Sequence, residues 1–260
     1  MNHKKDVKKQ FGQQADHYVT STVHANGQDL AQMVNIARPQ ASQTVLDVAT
    51  GGGHVAKAFS PKVKKVIALD LTKKMLQAAQ HFVCDTSGCT NVEFVLGDAE
   101  HLPFADETFD IVTCRIAAHH FPNVNAFLHE AHRVLRPGGQ LLLIDNIAPE
   151  RMEDATLYNE IEKMRDFSHY RAWPVSEWHE MTKQAGLCVE TSFVFAKHLN
   201  FRSWCERMGL ETDAMDAIMV KMKEAPKTWK RAFDVQEQNQ QITRFTVNTL
   251  FLQARKDLRR

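Results

Sequence analysis

The residues best equipped for chemistry lie in the run VLDVATGGGH at positions 45–54. An aliphatic stretch carrying one acid, Asp47, leads directly into Gly51, Gly52 and Gly53, ahead of a helical pattern. Glycines at such a junction let a ligand approach bare backbone where a helix N-terminus offers unpaired N–H groups. Asp70 closes the next apolar run, 19 residues after Gly51, at the spacing of an acid that holds ribose hydroxyls. Taken alone, the loop fits three readings: a glycine turn, a dinucleotide site of the G-x-G-x-x-A type (Gly51, Gly53, Ala56), and some other nucleoside site. A nicotinamide-dependent oxidoreductase is the main rival to any further reading.

Two features separate these alternatives. Asp47 sits just ahead of the glycines, where a pyrophosphate would meet a like charge but the amino group and sulfonium of a methionine-derived ligand would meet an opposite one. The run LGDAEHLPFADETFD then places Asp98, Ala99 and Glu100 at the carboxyl end of a third strand, where open α/β sheets bind ligands. Asp98 could accept a hydrogen bond from an adenine amino group. No Tyr-x-x-x-Lys pair of the dehydrogenase kind occurs in the sequence.

Four ordered runs, VLDVATGGGH, ALDLTKKML, GDAEHLPFADETFD and RVLRPGGQLLLID, together resemble the successive motifs of class I S-adenosylmethionine-dependent methyltransferases. The likeness is greatest to the small-molecule group containing the ubiquinone and menaquinone biosynthesis enzymes, over about residues 8–146. The resemblance implies a doubly wound, mainly parallel seven-stranded α/β sheet, with an N-terminal helical lid and a helical insertion before the last strand. It implies S-adenosyl-L-methionine as cofactor, methyl transfer to a small-molecule acceptor, and S-adenosylhomocysteine as product. A silent S-adenosylmethionine-binding protein is the other alternative. Carried onto this chain, the motifs put Asp47, Ala49, Thr50, Gly51 and Gly53 against the methionine portion and Asp70 against the ribose. Leu71 or Met75 would flank the adenine, with Asp98, Ala99 and Glu100 at its edge. Ala49 stands where many members have glycine.

The fourth strand ends in CRIAAHHF, so Arg115, His119 and His120 come to the carboxyl edge of the sheet beside the expected methyl group. Either histidine could act as a base near neutral pH, or one could pack and the other face solvent. Asp145-Asn146 resembles the pair that holds Mg²⁺ in catechol-type O-methyltransferases. Arg115 stands where a further oxygen ligand would be needed, so no metal is expected. Phe11 and Tyr18, seven residues apart on one helix face, could staple the first helix to the core or meet the sulfonium. The stripe Trp204, Met208, Met215, Met219, Met222, Trp229 reads as core first and as an adaptable acceptor wall second.

Positioning these residues takes a repeated βα pattern. Strand-like runs are expected at 44–49, 65–70, 92–97, 109–114 and 140–145, mostly apolar as befits strands covered on both faces. Thr72 is placed to cap a helix, and AFLHEAHRVL is expected to run to a stop at Pro137-Gly138-Gly139. Residues 4–37 read as two helices. VSEWHEMTKQAGL is a further helix, followed by strand CVETSFVFA, two or three short helices within 200–233, and a last strand at 245–255. The whole chain reads as one domain: 4–37 ahead of the core, 42–146 binding the cofactor, 147–260 completing the sheet.

Apolar residues at 43% and charged residues at 24% are ordinary for a globule and exclude a mainly disordered chain. Because 32 Lys+Arg nearly cancel 31 Asp+Glu, no overall field favours nucleic acid. The polar start and the lack of a long apolar run predict no membrane insertion, and five cysteines without a C-x-x-C pair predict reduced thiols and a cytoplasmic protein. Oligomeric state and the identity of the acceptor are left open.

Overall fold

The computed structural model describes the backbone of residues 3–20 and 27–258, and the side chains of 3–12 and 27–258. Helices α1 (His3–Thr20) and α2 (Gln28–Ala37) precede β1 (Thr44–Val48), α3 (His54–Phe59), β2 (Lys65–Asp70), α4 (Lys73–Gln80) and β3 (Val92–Leu96). Then come β4 (Phe109–Arg115), α5 (Val124–Val134), β5 (Leu135–Asn146), α6 (Met152–Arg165), α7 (Val175–Gln184) and β6 (Leu187–Asn200). The chain closes with α8 (Phe201–Glu206), α9 (Thr212–Glu224), α10 (Lys227–Ala232), β7 (Gln236–Gln238) and β8 (Gln241–Lys256).

These strands form one mixed, mainly parallel sheet in the order β3-β2-β1-β4-β5-β8-β6, with the three-residue β7 pairing β8 as an eighth strand beyond the expected seven. Strands β1 to β5 pair in parallel, and β8 runs antiparallel between β5 and β6. The chain passes from the β1-β2-β3 half to the β4-β5 half between β1 and β4. Ligands bind at such a switch point, outside the carboxyl ends of the strands.

Alternation along the strands sorts the core onto two faces. Leu46, Val48, Val112, Leu141 and Leu143 pack with Phe127 and Leu128 of α5 and Trp178 of α7 on one face. Val45, Ile111, Leu142 and Ile144 pack with Leu30, Met33 and Val34 of α2 and Phe59 of α3 on the other. Each fully buried side chain of this size contributes about 1.5–3 kcal/mol relative to exposure. A third core forms because β6 and β8 stay paired out to Asn200↔Arg244, well past the stretch of β8 that β5 covers. Trp204, Met222 and Trp229 of α8–α10 are buried there, with Met215 and Met219 packed against them. The Trp/Met stripe therefore packs as core.

Several expectations need correction. The helix expected to reach Pro137 stops at Val134, and β5 already begins at Leu135, opposite Phe109. A bulge between Phe109 and Ile111 makes this possible, with Gly138 at φ +76. A Cβ on Gly139 would lie 2.9 Å from the Arg136 carbonyl oxygen, so the close approach there requires glycine. Strand β3 is not covered on both faces but lies at the sheet edge, with Leu96 57% exposed. Thr72 occupies the N-cap position of α4 without a side-chain cap bond. Helix α6 was not anticipated: only Tyr158, Ile161 and Glu162 are buried in it, too sparse a stripe to stand out.

Candidate active site

The carboxyl ends of β1, β2, β3 and β4, together with α1, line a cleft. The loop after β1 forms its floor. Ala49, Gly51 and Gly53 take left-handed backbone angles of φ +54, +53 and +81. A Cβ on Gly53 would also stand 2.6 Å from Val83, so the loop enters α3 only as glycine. The bare backbone at Gly51 and Gly52 faces the cleft.

Asp47 projects from β1 into this floor and is only 1% exposed. The hydroxyls of Thr50 and Thr113 donate to its two oxygens at 2.6 and 2.8 Å. Burial pushes its carboxyl up to about 6, although the two threonines and the nearby Arg115 charge pull the other way. Asp70, at the end of β2, accepts the N–H of Thr72 at 2.9 Å and that of Gly51 at 3.1 Å. Burial raises it likewise to about 6. Two adjacent carboxyls that are costly to ionise make a site awaiting cationic or hydrogen-bond-donating partners.

Leu71, Met75, Asp98, Ala99 and Glu100 line the far end of the cleft. One oxygen of Asp98 accepts the Glu100 N–H at 3.0 Å, and the other pairs with the Lys4 ammonium at 2.5 Å. Glu100 shares that ammonium at 2.5 Å and accepts the Asn123 N–H at 2.6 Å. Asp98, Glu100 and His101 bring carboxylate and imidazole atoms close enough for a metal, but Lys4 takes that place among the described residues. Lys4, Val7 and Phe11 all face the cleft, because spacings of three and four residues share one helix face. The side chain of Tyr18 lies outside the described residues.

On the β4 side, Arg115 reaches the cleft wall while its Nε and a terminal nitrogen each donate to Asp29 of α2 at 3.0 Å. Lys197 of β6 adds a third charge, 3.3 Å from the same carboxylate. The next residue, Ile116, is β-branched yet sits at φ +54, a strained conformation in the cleft wall. His120 lines the cleft, with Phe11 edge-on at 5.0 Å. His119 is not part of the lining; its ring lies beside that of His120, centroids 4.2 Å apart, and pairs with Asp145 at 2.6 Å. Asp145 thus faces a histidine, and the Asn146 amide oxygen accepts from Thr249 at 3.2 Å.

The structure therefore gathers Asp47, Ala49, Thr50, Gly51, Asp70, Leu71, Met75, Asp98, Ala99, Glu100, Arg115 and His120 around one cleft. Gly53 shapes the loop from behind. Sequence reasoning missed Asp29, Thr113, Lys4 and Val7. Thr113, a lone hydroxyl in an apolar strand, carried a faint signal; the others carried none.

The fold and cleft are those of a class I methyltransferase. The description "Methyltransferase domain" matches residues 46–143. YcgJ, an uncharacterised methyltransferase of Bacillus subtilis, is 36% identical over 95% of this chain and 97% of its own, and its crystal structure superposes with a TM-score of 0.86. BH2331 of Bacillus halodurans C-125 is 46% identical, with a TM-score of 0.86 over 89% of this chain and all of its own. A ubiquinone/menaquinone biosynthesis C-methyltransferase of Hahella chejuensis is 32% identical over 63% of this chain and 76% of its own. This chain belongs to the class I methyltransferase family, and the oxidoreductase alternative falls with that assignment. No described helix is long and apolar enough to cross a membrane.

Proposed function

We propose that this protein transfers the methyl group of S-adenosyl-L-methionine to a small-molecule acceptor. The observation that carries the reading is Asp47, a buried carboxyl at the ligand-facing end of β1 whose two oxygens accept from the neutral hydroxyls of Thr50 and Thr113. An amino group placed on it would favour its ionised form and offset the cost of burying it.

S-adenosylmethionine supplies a methyl carbon already activated by the sulfonium, so the protein's tasks are alignment and exclusion of water. Gly51 and Gly52 offer backbone to the methionine portion, and Asp70 has lone pairs left for ribose hydroxyls. Leu71, Met75 and Ala99 make an apolar slot for the adenine, with Asp98 at its edge. Helix α1 acts as a lid, latched by Lys4 at the adenine end and by Phe11 against His120 at the methyl end. Val7, Phe11, Phe121 and Pro122 leave an apolar space beside the methyl position. That space suits a small, partly apolar acceptor, with His120, and His119 beside it, as the polar groups.

Calorimetry tests the cofactor. S-adenosylhomocysteine should bind and NADH should not; failure of S-adenosylhomocysteine to bind at millimolar concentration would refute the reading.

A further inference from the structure

Resting on S-adenosylmethionine as the cofactor, we infer that α1 is an autoinhibitory strap. The Lys4 ammonium holds the carboxylates at which the adenine amino group binds, so that strap and cofactor exclude one another at this point.

The helix itself does not account for where Lys4 sits. It lies in the first turn of α1, where the helix dipole disfavours a cation. Lys5, Lys8 and Lys9 are exposed, as charges on the outer face of a surface helix are. Lys4 instead shares the cleft face with Val7 and Phe11, and its ammonium stands 2.5 Å from both Asp98 and Glu100. The two acids, and not the helix, hold it there.

Each of the four carboxylate oxygens of this pair already has a donor. On Asp98 one oxygen takes the Glu100 N–H at 3.0 Å and the other takes Lys4. On Glu100 one takes the Asn123 N–H at 2.6 Å and the other takes Lys4. His101 stands 3.8 Å from the Asp98 oxygen that Lys4 uses, but its side chain is 80% exposed. The two backbone donors cannot leave without undoing the turn after β3 and the N-cap of α5, which Asn123 forms. Lys4 can leave, because it belongs to a separate element. An adenine amino group therefore reaches Asp98 in place of the ammonium. That exchange takes from Glu100, whose side chain is only 6% exposed, the cation paired with it, and the loss subtracts from cofactor affinity.

The strap also takes up room. It packs along α4 and crosses the cleft, leaving a cavity of about 120 Å³, whereas sites for drug-sized ligands run to about 300–1,000 Å³. Entry of a nucleoside joined to an amino acid requires α1 to lift from the floor. Val7 and Phe11 then settle on the bound ligand, with the Lys4 turn held off Asp98.

Calorimetry compares S-adenosylhomocysteine binding to the full-length protein and to Lys4→Gln. The variant should bind about three- to tenfold more tightly, the effect of one or two partly exposed ion pairs. A latch that stays closed over its ligand gives the opposite result, so equal or weaker binding by Lys4→Gln overturns the inference. Salt provides a second readout. S-adenosylhomocysteine carries no net charge, and the buried Asp47 and Asp70 are screened little, while the Lys4 and Asp98 side chains are 27% and 28% exposed. Raising potassium chloride from about 0.01 to about 0.15 M should tighten binding to wild type and leave Lys4→Gln nearly unchanged. A wild-type affinity that stays level or falls overturns the strap. Side-chain ¹⁵N NMR of the unsubstituted protein should show the Lys4 ammonium released when S-adenosylhomocysteine is added; an ammonium that keeps both carboxylates in the complex overturns the inference as well. If neither protein binds S-adenosylhomocysteine, the methyl-transfer reading falls and this one with it.

Discussion

Arg115 grips Asp29 through two parallel hydrogen bonds of 3.0 Å, with both side chains almost fully buried at 5% and 3% exposure. This joins the end of β4 to the first turn of α2 and holds the guanidinium against the cleft. The Gly27 position that opens α2 is crowded by the same pair, since a Cβ there would fall 2.0 Å from an Asp29 oxygen and 2.8 Å from Arg115. Asp29→Ala leaves buried cations without their anion and should destabilise the fold by about 3–5 kcal/mol. Urea unfolding checks this, and an unchanged midpoint would show that the pair carries little stability.

Asp47 gives a pH-dependent prediction whose sign is fixed by burial. Its folded value of about 6 lies above the model-compound value of 3.8. Wild type therefore loses stability as pH rises from about 4 to 6, while the folded carboxyl resists ionising. Asp47→Asn has nothing to ionise. Without ligand it should gain on wild type across that window by about 2–3 kcal/mol, from roughly two units at 1.36 kcal/mol each. The same variant should bind S-adenosylhomocysteine more weakly at pH 7. Parallel stability curves for the two proteins would contradict the buried, reluctant carboxyl.

Asp70 should carry much of the ribose affinity. Replacing it with Ala removes an acceptor for charged-group hydrogen bonds, so S-adenosylhomocysteine binding should weaken by about 1.5–3 kcal/mol. Because Asp70 also accepts the Gly51 and Thr72 N–H groups, circular dichroism must first show that the variant is folded. Equal affinity in a folded variant would remove Asp70 from the site.

Gly53→Ala combines a backbone penalty at φ +81 with a methyl group 2.6 Å from Val83. Left-handed strain of about 1–2 kcal/mol and overpacking of about 1–3 kcal/mol point to a loss of about 2–5 kcal/mol. Thermal unfolding would report it.

If α1 is a lid, its stability should depend on what lies beneath it. Amide exchange across residues 3–12 should slow markedly when S-adenosylhomocysteine is added, and Lys4→Ala should speed it in the free protein by removing the bridge to Asp98 and Glu100. Equal exchange with and without ligand would mark α1 as fixed structure.

What the sequence determined by itself was local. A glycine loop after an aliphatic strand, an acid closing the next strand and alternating apolar runs depend on neighbours within a few residues, and periodicity reports them. So Asp47, Gly51, Gly53, Asp70 and Asp98 were legible, as were the five parallel strands and a set of short helices within 200–233, expected as two or three and found as three. Tertiary structure decided the rest because it rests on which distant segments become neighbours. Arg115 meets Asp29 across 86 residues, Thr113 meets Asp47 across 66, and His119 meets Asp145 across 26. The β1-β4 and β4-β5 pairings set the last two, and the packing of α2 sets the first. The apolar run of β3 could not announce an edge position, nor the Trp/Met stripe whether its partner would be protein or ligand. Hydrophobicity records the preference for burial, and only the completed sheet, with β8 inserted between β5 and β6, supplies the surface against which each side chain is buried.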